Sequence, residues 1–328
     1  MSVEDPHKVT TERVDELIEL LKSPRPEGLV FQLDVLDPDL FEASHYCGET
    51  VFFEGVEYIH RGLQAWLDLA EVSGHVLLTP RSSPRGAHLL RLSWRRLTTE
   101  GWHETGLSSG DPEKYGIDTP FHRIIKEEEP HFWVTFQDAL RWVGIDSASR
   151  ILSLGVNSGR ELAACVAPFL SLSADPQSES GRSVSRQWVG VDHSSTAIEA
   201  AQSRYPDPRF DWRVGDLREL SSWDLPPFDL ILCLNTLQSP NIDEYKEIKY
   251  WVKHQLTHQG ALLISLPNSR YLGTHQRFGT YAEHRGRPEQ SKLYKRIVGL
   301  QRYLHQHHFD VRITGKYTLF VCAKRRVR

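Results

Sequence analysis

The 328-residue chain has no apolar run of about 18 residues, so no membrane-spanning helix is expected. Its four cysteines, Cys47, Cys165, Cys233 and Cys322, lie far apart and include no Cys-x-x-Cys pair. Zinc ribbons, redox dithiols and a disulfide framework find no support in that spacing, and a reducing, cytoplasmic setting is expected. His45 and Cys47 have no second pair nearby, so no metal site is expected there either. The opening Met1-Ser2-Val3-Glu4-Asp5-Pro6 is acidic and lacks the basic and apolar regions of a signal peptide. No internal repeat is visible. What is present is ordinary globular material: 39% hydrophobic and 25% charged residues, enough for one large core or two domains.

The first third of the chain carries short amphipathic pieces. The spacing predicts a helix over Thr10 to Lys22, with Thr10 as cap and Val14, Leu17, Ile18 and Leu21 on one face. A second helix is expected around Gly62 to Val72. The apolar runs His75–Leu78 and His88–Trp94 flank a turn-rich stretch from Pro80 to Gly86, which reads as a hairpin. Thr98 to Pro120 reads as a long loop, and Pro130 opens a helix running to Val143. The aromatic residues Tyr46, Phe52, Phe53, Tyr58, Trp66, Trp94 and Trp102 suit a core or subunit contact better than a substrate pocket.

From Arg150 the pattern changes. Strand-length apolar runs (Ile151–Leu154, Trp188–Val191, Phe210–Val214, Leu230–Leu234 and Ala261–Leu266) alternate with helical stretches. Such alternation predicts a parallel sheet covered by helices on both faces. The last two runs, Val311–Thr314 and Tyr317–Cys322, are separated only by Gly315-Lys316. Two residues cannot make a parallel crossover, so these strands must form an antiparallel hairpin.

Each parallel strand ends in a polar cluster, the position at which open α/β sheets bind ligands. The first runs into Gly155-Val156-Asn157-Ser158-Gly159, where glycines at a strand-to-helix turn let backbone approach a ligand. Asn157 holds the middle position, and Asn tolerates left-handed geometry better than most residues. The second strand ends in Asp192, followed by His193; this carboxylate is placed to take both hydroxyls of a ribose, or to cap the next helix. The third ends in Gly215-Asp216-Leu217, the fourth in Asn235-Thr236-Leu237-Gln238 and the fifth in Pro267-Asn268-Ser269-Arg270-Tyr271. A dinucleotide fingerprint needs Gly at three positions, and here they read Gly155, Asn157 and Arg160. A nucleoside without a pyrophosphate fits better.

These residues resemble the class I S-adenosylmethionine-dependent methyltransferases. The matching pieces are Leu154 to Gly159, Val191-Asp192, Gly215-Asp216-Leu217, Phe228 to Gln238 and Gly260 to Asn268, closed by the terminal hairpin. The resemblance implies a Rossmann-like, mostly parallel seven-stranded α/β sheet with an antiparallel C-terminal hairpin strand. That domain would span residues 121–328, preceded by an N-terminal α+β accessory region of residues 1–120 that serves substrate or oligomer contact. It implies S-adenosyl-L-methionine as cofactor, wrapped by Gly155, Asn157 and Gly159. Asp192 with His193 would hold the ribose, and Asp216 with Leu217 would flank the adenine. Asn235 and Thr236 would border the methyl-transfer position, with Tyr271, His275, Tyr281 and His284 as acceptor-side candidates from the loop after the fifth strand. In such enzymes a segment like Phe121-His122-Arg123 and Glu127 to Trp133 often covers the cofactor cleft; the alternative is a charged helix start whose acids are favoured by the helix dipole. Three departures from the family pattern stand out: Ser153 in place of the usual acid, Asn157 in place of the middle Gly, and the long polar stretch Ser171 to Gln187.

Methyl transfer needs alignment and exclusion of water, and a base only when the acceptor must lose a proton. No universal triad is therefore expected. The Pro-Pro motif of adenine-amino methylases is absent after Asn235, and Cys233 sits inside an apolar run as core rather than nucleophile. The formal charge of −4 hides an asymmetry. Residues 270–328 carry 14 Lys plus Arg against 3 acids, whereas the preceding 269 carry 25 against 40. That basic end is either a solvated face docking on the acidic part or a surface for an anionic acceptor, such as RNA or a phosphorylated or carboxylated small molecule. Two other readings stay open: a catalytically silent nucleoside-binding scaffold with the same fold, and an NAD(P)-dependent oxidoreductase.

Overall fold

The alternation beyond Arg150 resolves into a seven-stranded sheet in the computed structural model, which describes residues 6–24, 29–41, 44–96, 111–119, 122, 125–171, 186–239, 241–268 and 290–326. The described residues fall into two compact units, those up to Arg96 and those from Asp111 onward.

In the N-terminal unit, β1 (His7–Lys8) pairs parallel with β2 (Val30–Leu36), and β2 pairs antiparallel with β7 (Leu89–Arg96). The expected hairpin is present, since β5 (His75–Leu77) pairs with β7, and the turn-rich stretch adds a two-residue strand, β6 (Arg81–Ser82), to the same neighbour. A separate hairpin joins β3 (Thr50–Phe53) and β4 (Val56–Ile59). Two helices, α1 (Val14–Lys22) and α2 (Leu63–Val72), bury Leu17, Leu21, Trp66, Leu69 and Ala70 against Leu33, Val35, Leu92 and Trp94. Of the aromatic residues, Tyr58, Trp66 and Trp94 are core, whereas Tyr46 and Phe52 are exposed; Trp102 lies outside the described residues.

The first helix departs from its expected start. Thr10 does not cap it, because the Thr10 carbonyl accepts the Ile59 N–H at 2.8 Å and holds the chain extended. The helix begins at Val14 instead, with Glu16 accepting the Arg13 backbone N–H at 2.7 Å. Val14 accordingly faces solvent at 56% exposure.

In the second unit, α3 (Pro130–Val143) has Pro in its first turn and ends at Gly144, whose φ of 83° places it in left-handed geometry. Then follow β8 (Arg150–Leu154), α4 (Ala163–Ser171), β9 (Gln187–Asp192), α5 (Ser195–Arg204), β10 (Phe210–Val214), β11 (Phe228–Leu234), α6 (Glu244–Tyr250), β12 (Leu256–Pro267), α7 (Gln290–Gln306), β13 (Phe309–Gly315) and β14 (Thr318–Arg325). The sheet order is β10-β9-β8-β11-β12-β14-β13. The first five are mutually parallel, and β14 runs antiparallel to both neighbours. This is the expected Rossmann-like α/β sheet. The reversed strand, however, lies inside it, with β13 at the edge. The connection is Lys316-Tyr317, one residue later than expected, and Gly315 closes β13 at φ 122°. A Cβ there would meet the Thr318 carbonyl oxygen at 2.0 Å.

Strand periodicity of two sends alternate residues to opposite faces. On one face Ile151, Leu230, Leu232, Leu263, Phe320 and Cys322 pack under α3 and α4. On the other, Leu152, Leu154, Cys233, Leu262, Ile264 and Val321 pack under α6 and α7. Cys233 is core as expected, and burial pushes its thiol up to about 12. Among the described residues no helix is long and apolar enough to cross a membrane.

Candidate functional site

Because β10, β9, β8, β11 and β12 are adjacent and parallel, their carboxyl ends share one edge. The order of strands reverses between β8 and β11, the point at which doubly wound sheets open a crevice. Gly155 follows β8 and Thr236 follows β11, so the two meet there. A Cβ on Gly155 would lie 2.2 Å from Thr236 Oγ1 and 2.7 Å from its Cβ, so only Gly fits this contact. Thr236 Oγ1 donates to the Leu234 carbonyl at 2.9 Å, which turns it toward the protein.

The turn after β8 is left-handed at Gly155 (φ 67°), Asn157 (φ 46°) and Gly159 (φ 70°), so Asn157 takes the geometry that Asn tolerates. Asp192 pins it: Oδ2 accepts the Asn157 N–H at 2.7 Å and Oδ1 accepts the Ser194 N–H at 3.0 Å. Asp192 is 6% exposed, and burial raises its pKa against the pull of those N–H groups and of His193. Ser194 rather than Asp192 caps α5, accepting the Ala197 N–H at 3.1 Å. A carboxylate has about four acceptor positions, and the N–H groups of Asn157, His193 and Ser194 take three of them. His193 Nδ1 lies 3.5 Å from Asp192 Oδ1 and is half exposed.

Asp216 follows β10 on the same edge, with its carboxylate engaged by its neighbour: Arg218 Nε donates at 3.0 and 2.9 Å to the two oxygens. That contact draws its pKa below the usual range. Leu217 is buried beside it. Asn235, left-handed at φ 50°, donates its N–H to Ser265 Oγ at 2.9 Å. The structure thus brings Gly155, Asn157, Gly159, Asp192, His193, Asp216, Leu217, Asn235 and Thr236 to one edge. Tyr271, His275, Tyr281 and His284 lie outside the described residues.

Sequence reasoning missed three contributors. Residues 111–119 belong to this unit, although they precede the expected boundary at 120. Glu113 reaches the start of α5, where Oε1 accepts the Ser195 N–H at 2.9 Å and Oε2 accepts the Ser194 and Thr196 hydroxyls at 2.9 and 2.5 Å. The Thr196 hydroxyl, foremost among these partners, holds the Glu113 pKa below the usual carboxylate range. The Ser194-Ser195-Thr196 run was the available signal, as a helix start seeking acceptors. Tyr115 is the second: its carbonyl accepts Asn157 Nδ2 at 2.7 Å, and its ring meets His193 edge-on at 6.0 Å. Glu113→Ala is expected to cost about 1 kcal/mol, read as a lower urea midpoint.

Glu161 is the third, and nothing in its local sequence marks it. It lies in the short helical turn Arg160–Leu162, against which the segment Lys126–Glu128 packs. The segment expected to cover the cleft therefore begins at the glycine turn. Burial pushes the Glu161 carboxyl up to about 7, helped by Glu127 and Glu129 and opposed by Lys126 and the Asn235 amide. A folded-state pKa above the ordinary 4.5 means that the stability lent by protonation is complete below pH 4.5 and lost as pH rises through about 7. Glu161→Gln should therefore raise stability at pH 8 by about 2 kcal/mol and leave it unchanged at pH 4. Thermal melts at the two pH values read that difference.

The orphaned acceptors Asn235 Oδ1 and Gln238 Oε1 suit a small ligand rich in hydrogen-bond donors, as a nucleoside with an amino-acid arm is.

No protein-family model matches the chain, and no curated protein matches it. Solved structures similar to it include the methyltransferase domain of bacterial CtHen1, at 16% identity over 60% of this chain and 98% of that one, with a TM-score of 0.40. The N-methyltransferase NodS from Bradyrhizobium japonicum WM9 is 14% identical over 61% of this chain and 99% of its own, with a TM-score of 0.40. The plantazolicin methyltransferase BpumL, solved with a desmethylPZN analogue and SAH, is 11% identical over 62% and 88%, with a TM-score of 0.45. With TM-scores below 0.5, these likenesses carry no weight for function beside the strand order and the site geometry.

Proposed function

We propose that the C-terminal unit binds S-adenosyl-L-methionine and transfers its methyl group to an acceptor. One observation carries the reading. The glycine turn is pinned to Asp192 at the crevice, and the helix start beyond it is surrounded by Glu127, Glu129 and Glu161. Where a dinucleotide places its pyrophosphate, the described residues set Glu127 and Glu129 beside Lys126 and Arg160, each cation paired with a carboxylate, so none is left for a phosphate. Such pairing disfavours a pyrophosphate and suits a nucleoside without one.

Gly155, Asn157 and Gly159 would accommodate the amino-acid arm, Asp192 the ribose hydroxyls, and Asp216 with Leu217 the adenine. When bound, the sulfonium supplies an activated methyl group. Asn235 and Thr236 border the crevice where an acceptor would approach, and their part is alignment and exclusion of water. An anionic acceptor would draw on the basic end of the chain, where Arg296 is already paired with Glu244, Arg326 with Asp310, and Arg325 with the Val252 carbonyl.

Calorimetry should show micromolar binding of S-adenosylmethionine and none of NAD. Asp192→Ala should weaken the former at least tenfold, or about 1.4 kcal/mol. Tighter binding of NAD, or no nucleoside binding by folded protein, would overturn the reading. Formation of S-adenosylhomocysteine with cell extract as acceptor source separates an enzyme from a silent scaffold.

A further inference from the structure

The far edge of the large sheet is open. β13 (Phe309–Gly315) pairs with β14 on one side and, among the described residues, with no strand on the other. In an antiparallel ladder, successive residues turn their N–H and C=O groups alternately to the two sides. The His308 carbonyl accepts the Arg326 N–H at 2.9 Å, so the even-numbered residues of this strand face β14. The open side therefore belongs to the backbone of Phe309, Val311 and Ile313.

The side chains sort by face. Val311 and Ile313 stand opposite Ala323 and Val321, on the face that packs under α7. Ile313 is 36% exposed, and on α7 Val298 is 42% exposed. Asp310 and Arg312 are exposed on the other face, opposite Lys324 and Cys322. Asp310 Oδ1 holds Arg326 Nε at 2.8 Å across a half-exposed contact, and Arg312 has no ion pair among the described residues. An edge guarded by charges of one sign would repel its own copy. Here the sign alternates.

That alternation is self-complementary. In an antiparallel pairing of two copies about a two-fold axis through Val311, Val311 faces the partner's Val311 and Phe309 faces the partner's Ile313. All of these are residues whose N–H and C=O point outward, so the free donors and acceptors of one copy meet those of the other. The same axis sets Asp310 opposite the partner's Arg312, and Arg312 opposite the partner's Asp310. The two neighbouring registers that keep the backbone in phase put Asp310 opposite itself, or Arg312 opposite itself. Like charges directly opposite are destabilising, so charge selects the register centred on Val311. We propose that β13 is a dimerisation edge, which pairs antiparallel with β13 of a second copy of this chain and joins the two sheets into one. The contact is isologous and closes on itself, so it stops at two copies.

Sedimentation velocity of the full chain over about 1 to 300 μM should show a reversible monomer–dimer equilibrium, because an edge ladder is smaller than a permanent interface. Asp310→Lys sets cation against cation, and Arg312→Asp sets carboxylate against carboxylate. Each variant alone should dimerise at least about tenfold more weakly than wild type. An equimolar mixture of the two should recover wild-type affinity, because the mixed pair again joins opposite charges at both positions. Val311→Pro removes the central outward N–H, leaves the ladder to β14 intact, and should also give monomer. The charge variants keep the test open if the proline variant fails to fold, since the Asp310–Arg326 pair that one of them breaks is exposed and worth little. Monomer throughout the range, a dimer indifferent to both charge substitutions, or a mixture no tighter than its components would overturn the proposal. Wild-type dimerisation by folded Val311→Pro would do so as well.

Discussion

Gly155→Ala should destabilise the C-terminal unit by about 2–5 kcal/mol and abolish measurable nucleoside binding. Two costs add. The left-handed φ of 67° costs a residue with a Cβ about 1–2 kcal/mol. The new methyl would also overlap three atoms of Thr236, at 2.2, 2.3 and 2.7 Å. Thr236 is short, branched and tied to the Leu234 carbonyl, so it cannot swing aside as a long side chain would. Relieving such overpacking typically costs about 1–3 kcal/mol more. The double variant Gly155→Ala with Thr236→Gly separates the terms, because it removes the overlap and leaves the backbone strain. Partial recovery in urea unfolding is expected; full recovery would show that the turn tolerates a Cβ, and no recovery that the contact is irrelevant.

Asp34→Ala should cost the N-terminal unit about 3–5 kcal/mol, seen as an early transition in thermal unfolding. Asp34 is fully buried on β2, directly opposite Arg91 on β7, which donates Nε and Nη2 to its two oxygens at 2.9 Å each. Arg85 Nε stands 3.5 Å away. Removing the carboxylate leaves a partly buried guanidinium without its counter-charge, which is worse than never having built the pair. Burial raises the Asp34 pKa, and the bonds from Arg91 and Ser83 with the nearby charges more than reverse that, so the net shift is downward from 3.8. Its stabilisation is therefore complete above pH 3.8 and lost as pH falls through the lowered value. A transition insensitive to Asp34→Ala would mean that the pair contributes no net stability.

Most of the sheet was legible in sequence because its strands are buried on both faces. Phe210–Val214 was read to the residue, and Ile151–Leu154 to within one. Where the apolar signal stopped, so did the reading: β12 extends back through Thr257, His258 and Gln259, which no periodicity marks as strand. At the site, glycine and asparagine gave themselves away through conformation, since Gly155, Asn157 and Gly159 are all left-handed. Glu113 and Glu161 were invisible for the opposite reason. Their roles come from partners 81 to 83 residues away at the start of α5, or from the burial of a charge, and neither leaves a local pattern. Thr10 was misread because a tertiary contact with Ile59 overrode a good local capping sequence.

The place of β14 has a consequence for how the protein is made. It follows β13 in the chain, yet it pairs on both sides, with β12 and with β13. A chain lacking residues 318–325 exposes the long ladder edge of β12 and leaves β13 with no neighbour among the described strands. Such an edge invites pairing with other chains. Closure of the sheet thus waits on residues 318–325, and a chain truncated before them should yield aggregates rather than a slightly shortened protein.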